Sequence, residues 1–140
     1  AAVTTSVVAG TVGIFVGCSY TDPSTSQLTF NQQFPASTAA SDIMAYVVDD
    51  PKLVFKMQGD EAIAQTGLGN NVSAVSTAGS TTIGRSRNAL DGGSIATTNT
   101  LPLRILEFVD GPDSAVGDAF TDCLVTYLPL SHAYETKLGV

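Results

Sequence analysis

The strongest pattern in the chain runs from Asp42 to Gly59. Ile43-Met44-Ala45-Tyr46-Val47-Val48 is apolar on both alternating faces, which predicts a strand covered on both sides. Asp49-Asp50-Pro51 interrupts it. Leu53-Val54-Phe55-Lys56-Met57-Gln58 then places Leu53, Phe55 and Met57 on one face and Lys56 and Gln58 on the other, the alternation of a half-buried strand.

Other segments carry the same period. Val12 to Cys18 is an apolar run that reads as a strand, and Tyr20-Thr21-Asp22-Pro23-Ser24 supplies turn chemistry after it. Gln27 to Phe30 alternates and suits a hairpin partner, followed by a loop through Phe34 to Ser41. Leu101 to Val109 predicts a strand with Leu103 and Ile105 buried, Leu106 a third candidate, and Arg104 and Glu107 at exposed or pairing positions. Asp110-Gly111-Pro112-Asp113 closes it with a turn. Asp122 to Leu128 is a last core strand, which Pro129 terminates or confines to an edge.

Residues 66–100 differ: Gly, Ser, Thr, Ala and Asn dominate, with isolated apolar positions at Leu68, Val72, Val75, Ile83, Leu90 and Ile95. Short, weak strands and turns are expected there, a polar arm ordered by contact with another subunit. Helix is confined to a turn or two near Asp60–Gln65 and Ser86–Leu90. The whole is expected to be an all-β, single-domain β-barrel or β-sandwich over 1–140, with long Ser/Thr/Gly-rich loops and a C-terminal tail over 129–140.

Length and charge narrow the classes. A chain of 140 residues suffices for one core. Six lysines and arginines against 13 acids give a net charge of −7, which disfavours nucleic acid as a partner; the nearest approach to a basic cluster is Arg85 with Arg87. No apolar run approaches the roughly 18 residues of a membrane span. The chain starts at Ala1 without methionine, so an initiator or longer leader is expected before it. Cys18 and Cys123 lack CxxC spacing and read as two buried thiols, with a bridge between distant strands left open.

Chemistry-bearing residues are sparse. A nucleophilic triad has one histidine to draw on, His132, in a segment that reads as a terminal loop or edge strand and therefore as a surface or interface position. Asp110, Asp113, Asp118 and Asp122 gather around a turn but lack the alternating order of a calcium loop. Gly67-Leu68-Gly69-Asn70-Asn71 lacks the strand-to-helix setting of a phosphate loop and reads as a tight turn, and Asn71-Val72-Ser73 matches a glycosylation acceptor. No catalytic, metal or cofactor site is expected, and an enzyme is the least favoured class.

Gly13-Ile14-Phe15-Val16-Gly17-Cys18-Ser19-Tyr20-Thr21-Asp22-Pro23, the Asp42-to-Gln58 strands with Asp49-Asp50-Pro51, Asn88 through Asp91, and Val116-Gly117-Asp118-Ala119-Phe120-Thr121-Asp122 resemble a family of small virion structural proteins of tailed bacteriophages, marine ones especially. The resemblance covers most of the chain and rests on turns and strands. It implies a capsid cement, or decoration, protein on the virion exterior, assembled in the host cytoplasm, with the major capsid protein and itself, as a homotrimer, for partners. Strand edges would offer backbone hydrogen bonds for β-augmentation. Assembly contacts are expected from Arg85 and Arg87 in the polar segment, Tyr20 and Phe34 in turns, and His132, Tyr134 and Lys137 in the tail. The rival readings are a virion adhesion module binding host-surface carbohydrate through Ser/Thr/Asn-rich loops, and a tail or connector component.

Overall fold

The computed structural model describes residues 10–80 and 82–135. The fold is all-β: β1 (Ile14–Thr21), β2 (Leu28–Asn31), β3 (Met44–Val48), β4 (Val54–Gln58), β5 (Asn71–Val75), β6 (Ala89–Ala96), β7 (Leu103–Phe108) and β8 (Asp122–Tyr127), with a single 3-10 turn at Gln65–Gly67. Of the two helical turns expected, the one near Asp60–Gln65 is displaced to Gln65–Gly67, and in the other Ala89 and Leu90 belong to a strand instead. Two antiparallel sheets result, one ordered β2-β1-β3 and the other β4-β8-β7-β5-β6.

The larger sheet holds the core, and register explains why. Val125 of β8 lies between Phe55 and Ile105, Cys123 lies between Met57 and Phe108, and Leu103 pairs with Val72, so one face is apolar across the strands. Ile63, Val72, Leu90, Leu103, Ile105, Cys123, Val125 and Tyr127 form the buried cluster. The sheet curls until its edge strands approach at one end, where Gly59 bridges Leu90 and the Asp60 amide donates to the Leu90 carbonyl at 2.9 Å. The barrel is not closed beyond that point.

Two irregularities shift the expected pattern. In β7 the pairing with β8 slips between Ile105 and Glu107, so Leu106 is the extra residue of a bulge and stands 43% exposed while Leu103 and Ile105 are fully buried. In β6 the register to β5 jumps over Gly92 to Ile95, and Ser94 repairs the gap: its hydroxyl accepts from the Ser73 amide at 2.9 Å and donates to the Asp91 carbonyl at 2.7 Å. Residues 66–100 thus supply two strands of the main sheet and two residues of its buried cluster, Val72 and Leu90. Single apolar residues suffice there because the neighbouring strands supply the rest of the packing.

The smaller sheet is built differently. β2 and β3 flank β1, and the β1–β3 pairing is bulged between Phe15 and Gly17. The segment before β1 joins the segment after β8. The amides of Gly10 and Thr11 both donate to the Ser131 carbonyl at 3.1 Å, the Ala133 amide donates to the Thr11 carbonyl at 2.9 Å, and Ile14 packs on the main core. This junction buries Ser131, His132 and Ala133, so the segment after Pro129 is anchored as far as Ala133 and His132 is fully buried, not a surface histidine. Tyr20 lies within β1 and is 3% exposed, not in a turn.

The largest departure concerns β3. Every one of its residues is exposed, because it is the edge of a sheet with no second layer across it among the described residues; Met44 reaches 61%, Tyr46 44% and Val47 40%. The run expected to be covered on both sides is left open on both by the described residues.

Candidate functional site

Registration within the small sheet places side chains on two faces. Ser19 is opposite both Phe30 and Met44, Thr21 is opposite Leu28, and Gly17 is opposite Tyr46, so these residues share one face. Leu28 and Phe30 there are 63% and 68% exposed. Ser19 is buried between the outer strands, its hydroxyl hydrogen-bonded to the Tyr46 hydroxyl at 2.9 Å. The face is therefore an apolar surface carried by two exposed flanking strands around a small-residue centre.

Cys18 and Tyr20 point to the other face and are buried. The Tyr20 ring meets Phe34 edge-on at 5.3 Å, so the loop after β2 folds back over that side. Tyr20 and Phe34, both expected at an assembly surface, are thus brought together, with Tyr20 acting as the internal support and Phe34 partly exposed. Gly17 allows the chain leaving β2 to cross: a Cβ there would lie 3.0 Å from the Asn31 carbonyl oxygen.

Beside this crossing lies an open cleft of about 580 Å³, with Phe30, Tyr46, Gln32, Gln33, Ile83 and Arg85 among its walls. Arg85 sits at the base of a small loop in which the Ser80 amide donates to its carbonyl at 3.0 Å. Arg85 and Arg87 are both exposed. Lys137 lies outside the described residues.

His132 is held among aromatic rings, Tyr127 at 5.5 Å and Tyr134 at 5.3 Å. Its Nδ1 accepts from the Tyr134 amide at 3.3 Å, and its buried Nε2 meets no hydrogen-bond partner among the described residues. The Tyr134 hydroxyl donates to Asp49 at 3.0 Å; that bond, and then the carboxylate's charge, raises the phenol above its ordinary range. His132 and Tyr134 therefore tie the end of the described chain to the sheet junction and to the turn after β3.

The acidic groups hold local structure. Asp42 accepts from the Thr21 hydroxyl at 2.6 Å and from its amide at 3.0 Å, which lowers its pKa, the hydroxyl contributing more. Asp50 accepts from the Lys52 amide at 2.8 Å, Asp118 accepts from the Ala115 amide at 2.8 Å, and Asp122 pairs with Lys56 at 2.6 Å. No three ligating side chains converge among the described residues. Cys18 and Cys123 are free thiols, buried in different sheets. Asn71 is 4% exposed, donating to the Thr98 carbonyl at 2.8 Å and accepting from Arg104 Nε at 3.0 Å, so the glycosylation motif is sealed inside the sheet.

Sequence reasoning missed the exposed apolar set of Leu28, Phe30, Met44 and Val47. The alternation Gln27-Leu28-Thr29-Phe30 already placed Leu28 and Phe30 together on one face; what it could not disclose is that nothing in the described chain lies over them. Comparison with protein-family models, curated proteins and solved structures gives no match for this chain.

Proposed function

We propose that this chain is a capsid cement protein of a tailed bacteriophage, bound to the exterior of the major capsid shell as a homotrimer and acting by clamping neighbouring shell subunits. The observation that carries the reading is the uncovered small sheet. Leu28, Phe30, Met44, Tyr46 and Val48 share one exposed apolar face of that sheet, on a chain that is otherwise strongly acidic. Contiguous exposed apolar area on a soluble domain marks an interaction surface. The resemblance to small virion proteins supplies the setting, and the rigid, curled five-stranded sheet supplies a support that holds such a surface in place. Arg85, Arg87 and Phe34 lie outward and remain the interface candidates from the loops, with Tyr134 at the sheet junction.

The reading predicts that purified protein binds expanded capsids in hundreds of copies and raises their resistance to heat. Unchanged capsid stability at saturating protein would remove it. A second reading has one observation in its favour: the cleft joins two partly exposed aromatic rings, Phe30 and Tyr46, to the amides of Gln32 and Gln33 and the guanidinium of Arg85, a set suited to a saccharide. That reading, an adhesion module, predicts few copies per virion and glycan binding lost in Phe30→Ala. Copy number by quantitative electrophoresis of purified particles separates the two.

A further inference from the structure

From the outer edge of β3, which no strand among the described residues pairs, we infer that it is a docking site for an extended strand of another protein, apolar at its centre and carrying lysine or arginine at its ends. Edge strands of soluble proteins are normally blunted by a charge, a proline or a bulge of their own. Met44-Ala45-Tyr46-Val47-Val48 has no charged residue and no proline, and the irregularity in its pairing places the extra residue, Val16, on β1. Met44, Tyr46 and Val48 face one side and Ala45 and Val47 the other, so an added strand would find apolar neighbours on both faces as well as backbone hydrogen bonds along the edge. The composition is that of a central strand, and the missing neighbour is what a partner supplies.

Charge selects the occupant. Asp42 precedes β3, and Asp49 and Asp50 follow it directly. A second copy pairing antiparallel about Tyr46 would set Met44 opposite Val48 and, continuing that register, Asp42 opposite Asp50 at both ends, where like charges oppose pairing. These carboxylates accept bonds from neutral donors, Thr21, Tyr134 and the Lys52 amide, and neither residues 1–9, which contain no lysine or arginine, nor residues 136–140, with Lys137 alone, bring a cation to both flanks. A strand with basic ends places a cation against each acidic flank. Assigning that strand to the shell protein rests on the cement reading; its chemistry does not.

The test selects peptides of about nine residues, drawn from Val, Ile, Thr, Tyr, Lys and Glu in a display library, on the immobilised full chain. Enriched sequences should have β-branched centres and lysine ends, and their binding should slow amide exchange across Met44–Val48. Val47→Lys should weaken that binding at least about tenfold by guarding the edge, with the unfolding midpoint of the free protein unchanged, while Val47→Thr retains it. No enrichment, enrichment of glutamate ends, or protection of another strand overturns the inference. So does slow exchange of β3 in the free protein, whether it depends on concentration, as for a second copy, or not, as for residues 1–9 or 136–140. On expanded capsids, binding that survives Val47→Lys overturns strand addition and leaves the cement reading standing. Successful selection by a chain that fails to bind capsids retains the strand site and removes its assignment to the shell.

Discussion

Cys123 lies on β8 between Met57 and Phe108 with no exposed surface, and its surroundings decide its chemistry. Burial first, and the neighbouring Asp122 carboxylate second, push the thiol from 9.0 to about 11. A raised pKa in the folded state means that the unfolded chain releases its proton first. The contribution to stability is thus complete below pH 9 and is lost as pH rises toward about 11. Tyr127, raised by burial, adds the same sign at higher pH. Urea midpoints measured from pH 8 upward should therefore fall, and Cys123→Ala should flatten the lower part of that fall; an identical slope in the variant would show that another group carries it. His132 makes a complementary case. Its fully buried ring fills space between Tyr127 and Tyr134, so His132→Ala should lower unfolding free energy by on the order of 3 kcal/mol, as a large core truncation does. A loss under about 0.5 kcal/mol, the range of an ordinary surface change, would place the ring outside the core.

Among the elements, the bulge in β7 separates two neighbours of similar chemistry. Ile105→Ala should cost about 3 kcal/mol and Leu106→Ala less than about 1, by chemical denaturation, because only Ile105 lies inside the curled sheet. Equal costs would place both side chains in the core. Gly13 controls how β1 enters the small sheet: any Cβ there would strike the Val48 carbonyl, so Gly13→Ala should cost roughly 1–3 kcal/mol, with lost protection concentrated in β1 and β3. Much of this scaffold was legible from period alone. Leu53 to Gln58, Leu101 to Val109 and Asp122 to Leu128 became β4, β7 and β8 because each alternation matches a sheet with one apolar face. What local pattern does not contain is the partner across space. Val72 and Leu90 are single apolar residues in polar surroundings, buried by β7 and the curl of the sheet. His132 is buried by a ladder to Thr11, far away in sequence. Ile43 to Val48 showed correctly what kind of strand it is, and gave no sign of whether this chain or another provides its cover.

At the scale of the whole molecule, the two sheets are unequally supported. The five-stranded sheet encloses a continuous buried cluster, whereas the small sheet has Cys18, Tyr20 and the Phe34 contact on one side and an exposed apolar face on the other. Local opening follows local packing, so the two should not share one stability. In the free protein, amides of β2 and β3 should exchange well before those of β7 and β8; the cement reading adds that the gap should narrow on expanded capsids, where it has a partner complete the small sheet. Uniform slow exchange across both sheets in the free chain would contradict this division, since it would require the small sheet to be supported as well as the large one without any partner. The division also bears on why the apolar surface sits where it does. The junction through Thr11, Ser131 and His132 fastens the strand that carries that face to the segment after β8, and so to the sheet that holds the buried cluster.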